Sequence, residues 1–216
     1  MCIRDRARPI LGQVTALGSY REVGRAMLLV TTNESKVLVD CGAKPTNNRS
    51  EVQPFFAAPE MLPLDNIDAV VITHAHVDHI GMLPVLFKYG YKGPVYCTQP
   101  TRDLMTLLQM DYIKVAQAEG NEAPYSKSDI QECIKHVVDV NWGEKTDIAP
   151  DIKMTMENAG HILGSSSVYM QIGEGRNEHK LLFSGDIKYE KSWLFDAATV
   201  RFNKVDTLVV ESTYGL

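Results

Sequence analysis

His74-Ala75-His76-Val77-Asp78-His79-Ile80-Gly81 places three imidazoles and a carboxylate within six residues, and its reading decides the fold. It follows Asp68-Ala69-Val70-Val71-Ile72-Thr73, an apolar run that reads as a buried β-strand. The cluster therefore falls where a strand gives way to a loop, which is where folds build sites. So many titratable groups side by side are costly to fold unless a metal binds them. In an extended chain alternate side chains share a face, so His74 and His76 can grip one ion. Asp78 and His79 come after the chain turns and can face a second ion beside the first. Imidazole suits zinc, and carboxylates complete or bridge such sites. Two metals about 3.5–4 Å apart form a hydrolytic centre in which water between them becomes hydroxide near neutral pH.

Further ligands stand at other strand ends. Ala159-Gly160-His161-Ile162-Leu163-Gly164-Ser165 follows the strand-like Ile152-Lys153-Met154-Thr155-Met156, making His161 the third ligand of the first ion. Its glycines are expected to let backbone approach that ion. Lys180-Leu181-Leu182-Phe183-Ser184-Gly185-Asp186 is a second apolar strand ending in a carboxylate, and Asp186 is the natural bridge. A lone Gly-Asp pair or a lone histidine usually belongs to a turn. Three strand ends offering one chemistry make a site.

In this order, these segments resemble the metallo-β-lactamase signature, with Asp40 after Val37-Leu38-Val39 matching its early acidic motif. Gly18-Ser19-Tyr20-Arg21-Glu22-Val23-Gly24-Arg25, Gly90-Tyr91-Lys92-Gly93-Pro94 and Glu211-Ser212-Thr213-Tyr214-Gly215 resemble the β-CASP nucleases. Within those the chain is most similar to archaeal proteins related to the cleavage and polyadenylation specificity factor. The resemblance implies an αββα sandwich, two zinc ions, a single-stranded RNA substrate, and RNA polymerase or processing factors as partners. It implies His74, His76 and His161 for the first zinc, Asp78 and His79 for the second, and Asp186 for both. Asp40 and Glu211 fall behind the ligands, each orienting a histidine as hydrogen-bonded carboxylates do. Two further histidines, one a general acid, stand beyond Glu211 in that family. The sequence, reaching Leu216 without them, reads as the amino-terminal portion of a catalytic core, weak or inactive alone. KH and β-CASP domains have no counterpart in it, and a homodimer would form through such regions. Ala26, where the family often has serine, leaves the ligands untouched.

At 216 residues and 44% hydrophobic content the chain suits one core, assigned to residues 10–216. Residues 1–9 do not resemble the family's approach to its first strand and read as an expression or assembly scar. No apolar run reaches the roughly 20 residues that span a bilayer, and the start lacks a signal core, so no membrane partner and a cytoplasmic location are expected. Cys2, Cys41, Cys97 and Cys133 stand far apart, which favours free buried thiols. The formal net charge of −5 gives no basic field for a phosphate backbone, so RNA must be engaged locally.

Strands are expected from Val14 to Thr31, as a hairpin about Arg21 to Gly24, and from Ser35 to Val39. Ile80 to Tyr89 reads as a helix. Thr101 to Glu119 reads as another, opening after Pro100 with Leu104, Leu107, Leu108, Tyr112 and Val115 inward. A third begins near Ser128, with Gln131 at capping-box distance. Met105, Met110 and Tyr112 read as core, His136 and His179 as solvated, and Trp142 and Trp193 as packing residues. The reading is a dizinc ribonuclease core cutting phosphodiesters with a metal-bridging hydroxide, and the sequence leaves open whether it cuts internally alone or also from the 5′ end. A generic hydrolase of thioesters or lactams, and an inactive RNA-binding subunit, are the alternatives. Intact ligands argue against the latter.

Overall fold

The computed structural model describes residues 12–46, 51–213 and 215. Residues 1–9 and Tyr214 of the terminal motif lie outside the described residues.

The first sheet opens with β1 (Gln13–Gly18), β2 (Met27–Thr31) and β3 (Lys36–Val39), a meander of antiparallel neighbours. It continues in parallel through β4 (Ala69–Val71). The short helices α1 (Val77–Ile80) and α2 (Leu83–Lys88) then lead to β5 (Val95–Cys97). The longer helices α3 (Gln99–Ala118) and α4 (Lys127–Lys135) lead to β6 (Val137–Asp139). The second sheet holds β7 (Lys145–Ala149), β8 (Ile152–Asn158), β9 (Ser166–Ile172), β10 (His179–Phe183) and β11 (Thr207–Val209). Its order is β11-β10-β9-β8-β7, antiparallel except for the parallel pair of β10 and β11.

Side-chain alternation divides the interior in two. Leu29, Leu38 and Val70 face the helices, joining Ile80, Leu83, Leu86, Met105 and Ile130. Their neighbours Leu28, Val30, Val37, Val39, Ala69 and Val71 face the second sheet, against Met154, Met156, Val168, Met170 and Leu181. Both faces of the central strands are apolar because both are covered. The result is a helix layer on two packed sheets. Among the described residues no helix covers the outer face of the second sheet.

Several local expectations are corrected. The helix expected from Ile80 begins at Val77 and breaks at Gly81 and Met82, where Pro84 starts a new first turn. Asp78 and His79 thus sit on a helical turn. Helix α3 starts at Gln99, before Pro100, and its buried stripe is Thr101, Met105, Gln109 and Ile113; Leu107 and Val115 face outward. Helix α4 is capped by Ser126 with Asp129, two residues ahead of the expected pair. His136 and His179 are half-buried: His136 Nδ1 donates to the Glu132 carbonyl, and His179 Nε2 meets Thr207 Oγ1 at 2.9 Å. Trp193 is fully exposed, not packed. Cys41, Cys97 and Cys133 are free and buried, as expected, while Cys2 lies outside the described residues.

Candidate metal centre

The topology explains why distant segments meet. Parallel pairing of β3 with β4, and of β10 with β11, sets their carboxyl ends on one edge of each sheet. β8 and β10 are both antiparallel to β9, so β8 ends on that edge as well. Asp40, His74, His161, Asp186 and Glu211 each lie within three residues after one of these strands. A backbone bond from Ser166 N to the Thr73 carbonyl, 2.8 Å, joins the two sheets at the site.

One donor from each of His74, His76, His161 and Asp186 lies within 4.8 Å of the others, a group that can hold a metal ion. His76 Nδ1 is 3.1 Å from His74 Nε2 and 3.2 Å from His161 Nε2. Three ring nitrogens aimed at one another repel through their lone pairs unless a proton or cation lies among them, so the donor set fits a metal. Asp186 closes the group, Oδ2 standing 3.6 Å from His161 Nε2 and 3.8 Å from His74 Nε2. Its other oxygen faces away. Asp186 Oδ1 is 3.4 Å from His79 Nε2, which is itself 3.8 Å from Asp78 Oδ2. His79 and Asp78 therefore adjoin this group, with the Asp186 carboxylate between.

Asp40 lies wholly buried beneath these side chains. It holds a positive φ of 60°, a conformation that costs about 1–3 kcal/mol in a non-glycine residue. Its carboxylate accepts from Thr73 N at 2.8 Å, from Thr73 Oγ1 at 2.8 Å, and from His79 Nδ1 at 2.7 Å. Backbone contacts lock the same corner: Cys41 N donates to the His79 carbonyl, and Ala26 N to that of Asp78. Gly42 is obligatory, because a Cβ there would stand 1.5 Å from the Asp78 carbonyl oxygen.

Charges follow this packing. Burial, then the neighbouring His79, His76 and His161, holds His74 well below the usual histidine range, and burial likewise lowers His76. Burial also pulls His79 down, but the charge of Asp40 and the contacts with Asp186 and Asp40 outweigh it and raise His79 to about 10. Burial raises the Asp186 carboxyl, yet the His79 contact and the surrounding imidazoles hold it below the ordinary range.

Glu211 engages a backbone amide and a serine hydroxyl. Among the described residues, its Oε1 accepts from Ile187 N at 2.9 Å, and its own N donates to Ser184 Oγ at 3.1 Å. It thus clamps the segment on either side of Asp186. The glycines about His161 also let neighbouring protein atoms pack closely against the loop. A Cβ on Gly160 would meet the Lys188 and Asp196 carbonyls, and one on Gly164 would meet Thr98 and Thr101. Ser165 Oγ accepts from the His161 and Ile162 amides, fixing the loop. Thr73 and Ser165 carry no sequence signal beyond their place beside a ligand. A cleft of about 490 Å³ opens beside Asp78, His79 and Asp186, walled by the Gly18 to Gly24 loop and by Glu211, Ser212 and Thr213.

A two-sheet sandwich carrying a histidine and carboxylate cluster along one sheet edge defines a metal-dependent hydrolase class of fold. The chain belongs to the metallo-beta-lactamase superfamily, whose domain it matches over residues 29–212. It is 52% identical over 203 residues to the transcription termination factor FttA of Methanosarcina mazei, covering 94% of this chain and 31% of that protein. Against FttA of Methanocaldococcus jannaschii the figures are 50%, 94% and 31%. The chain thus spans about a third of the length of these relatives. Solved structures with the same fold include Rm3 metallo-beta-lactamase (TM-score 0.52, 18% identity, 87% of this chain, 64% of that one). GOB-18 from Elizabethkingia meningoseptica is a second (TM-score 0.53, 16% identity, 87% and 64%).

Proposed function

We propose that this chain carries the dizinc centre of a ribonuclease that hydrolyses phosphodiester bonds of single-stranded RNA in transcription termination or RNA 3′-end processing. The observation that carries the reading is Asp186, whose two oxygens face two adjoining ligand sets. His74, His76, His161 and Asp186 would hold one cation, and Asp78, His79 and Asp186 the other. The imidazole-rich set suits zinc. When bound, such ions supply Lewis acidity toward water and toward a scissile phosphate. The chain's own groups do the positioning. Asp40 accepts from His79 Nδ1–H, which would turn Nε2 toward a cation, and Glu211 holds the Asp186 segment. The cleft beside Asp78, His79 and Asp186 would seat the strand to be cut.

The RNA substrate, and RNA polymerase or processing factors as partners, draw on the FttA relatives, because a net charge of −5 supplies no general attraction for phosphate. The test is cleavage of a labelled single-stranded RNA with added zinc, alongside elemental analysis. Carried within a protein of the relatives' full length, the wild-type centre should bind about two metals and cut; Asp186→Ala should lose metal and cutting together. His136→Ala and His179→Ala should match wild type. Absence of stoichiometric metal, or hydrolysis of small thioesters with RNA untouched, would overturn the reading.

A further inference from the structure

Thr73 stands between Asp40 and His74 with every polar atom engaged. Its N–H donates to Asp40 Oδ1 at 2.8 Å, and its carbonyl accepts from Ser166 N at 2.8 Å. Its Oγ1 lies 2.8 Å from Asp40 Oδ2 and 3.0 Å from His74 Nδ1. The residue is buried, and so are both partners. A hydroxyl has one proton to give. Ionised Asp40 can only accept, so that proton goes to Asp40, and the oxygen must then accept from His74 Nδ1–H. This order of donors leaves the His74 Nε2 lone pair facing His76 Nδ1 and Asp186, where the cation would sit. Asp40 meanwhile accepts from His79 Nδ1–H directly, at 2.7 Å.

We propose that Thr73 is a positioning residue through which the single carboxylate of Asp40 sets the tautomers of ligands in both metal sets, His79 by direct contact and His74 by relay. The inference rests on the reading of the cluster as a metal centre. Its chemistry explains the place of a hydroxyl at Thr73. The His74 and His79 rings lie side by side, centroids 4.0 Å apart, and Asp40 bonds His79 directly while the Thr73 hydroxyl stands between it and His74. Valine has the same shape and cannot pass the acceptor on.

The experiment compares wild type with Thr73→Val and Thr73→Ser in the full chain. Imidazole 15N spectra of the metal-free protein should show the His74 proton on Nδ1 in wild type and Thr73→Ser, and its loss from that nitrogen in Thr73→Val. Zinc affinity at the three-histidine set, by chelator competition, should fall about 10–100-fold in Thr73→Val, with recovery in Thr73→Ser. His79 should keep its Nδ1 proton throughout. A valine variant with wild-type tautomer and affinity overturns the proposal, as does one whose defects serine does not repair. Failure of wild type to bind zinc would count against the metal centre alone, since the metal-free spectra still decide the relay.

Discussion

His79 Nδ1 and Asp40 Oδ2 lie 2.7 Å apart, with both side chains buried and Asp40 wholly so. In metal-free protein this contact is an ion pair, since His79 is raised to about 10. The pair contributes fully below the unfolded histidine value near 6.5, and its contribution disappears as pH rises through about 10. Asp40→Asn removes the nearer counter-charge and leaves the buried imidazolium only Asp186, 3.4 Å from Nε2, a loss of about 3–5 kcal/mol at pH 6. Urea melts of chelator-treated proteins should show that gap narrowing toward pH 10. A gap constant over the range would mean that His79 folds neutral.

The two ligand sets should load at different pH. A metal must displace any proton from the ligand nitrogen. Burial keeps His74 and His76 deprotonated at neutral pH, so affinity at their set should be nearly flat above about 6.5, the model-histidine range. His79 still carries a proton there, so affinity at its set should climb as pH rises toward about 10. Zinc titrations at several pH values with proton release measured in parallel check this. Equal proton release for both ions at pH 7 would contradict it.

Gly42 is fixed by a backbone collision: its Cβ would stand 1.5 Å from the Asp78 carbonyl oxygen and 2.8 Å from His79 N. Neither atom belongs to a flexible side chain. Gly42→Ala should cost about 3 kcal/mol and displace Asp78 and His79 as a unit. Gly120→Ala, with a φ of 72° but open space around it, should cost about 1 kcal/mol from conformation alone. Calorimetric melts of both variants distinguish collision from conformational strain, and similar losses would refute the account.

Much of this was legible because the site's residues are expensive elsewhere. A tract such as His74 to His79 stands out in any sequence, and the apolar runs before Asp40, His74 and Asp186 locate the strand ends. What escaped depends on contacts across the fold. Thr73 looks like a strand terminus until Asp40, thirty-three residues earlier, is seen beneath it. Helix α3 carries apolar residues on two faces, and only packing selects the stripe of Met105 and Ile113 over Leu107 and Val115. The motif holding Glu211 is visible in sequence, but its partner is the backbone amide of Ile187, which no side-chain pattern announces.

That partner makes Glu211 testable apart from any catalytic role. Its carboxylate accepts from the residue next to Asp186, and its amide donates to Ser184 two residues before Asp186, so the segment is tied at both ends. Glu211→Ala removes the acceptor and frees Ile187 N, while Glu211→Gln keeps a carbonyl oxygen in the same place. Since Asp186 touches both ligand sets, loosening it should weaken both ions, by about 10-fold or more in the alanine variant and much less in the glutamine variant. A simple loss of negative charge near the cleft would instead make alanine and glutamine equally defective. Zinc affinity of the three proteins, measured without any substrate, separates these outcomes; equal losses would remove Glu211 from the support of Asp186 and return it to an electrostatic role at the cleft.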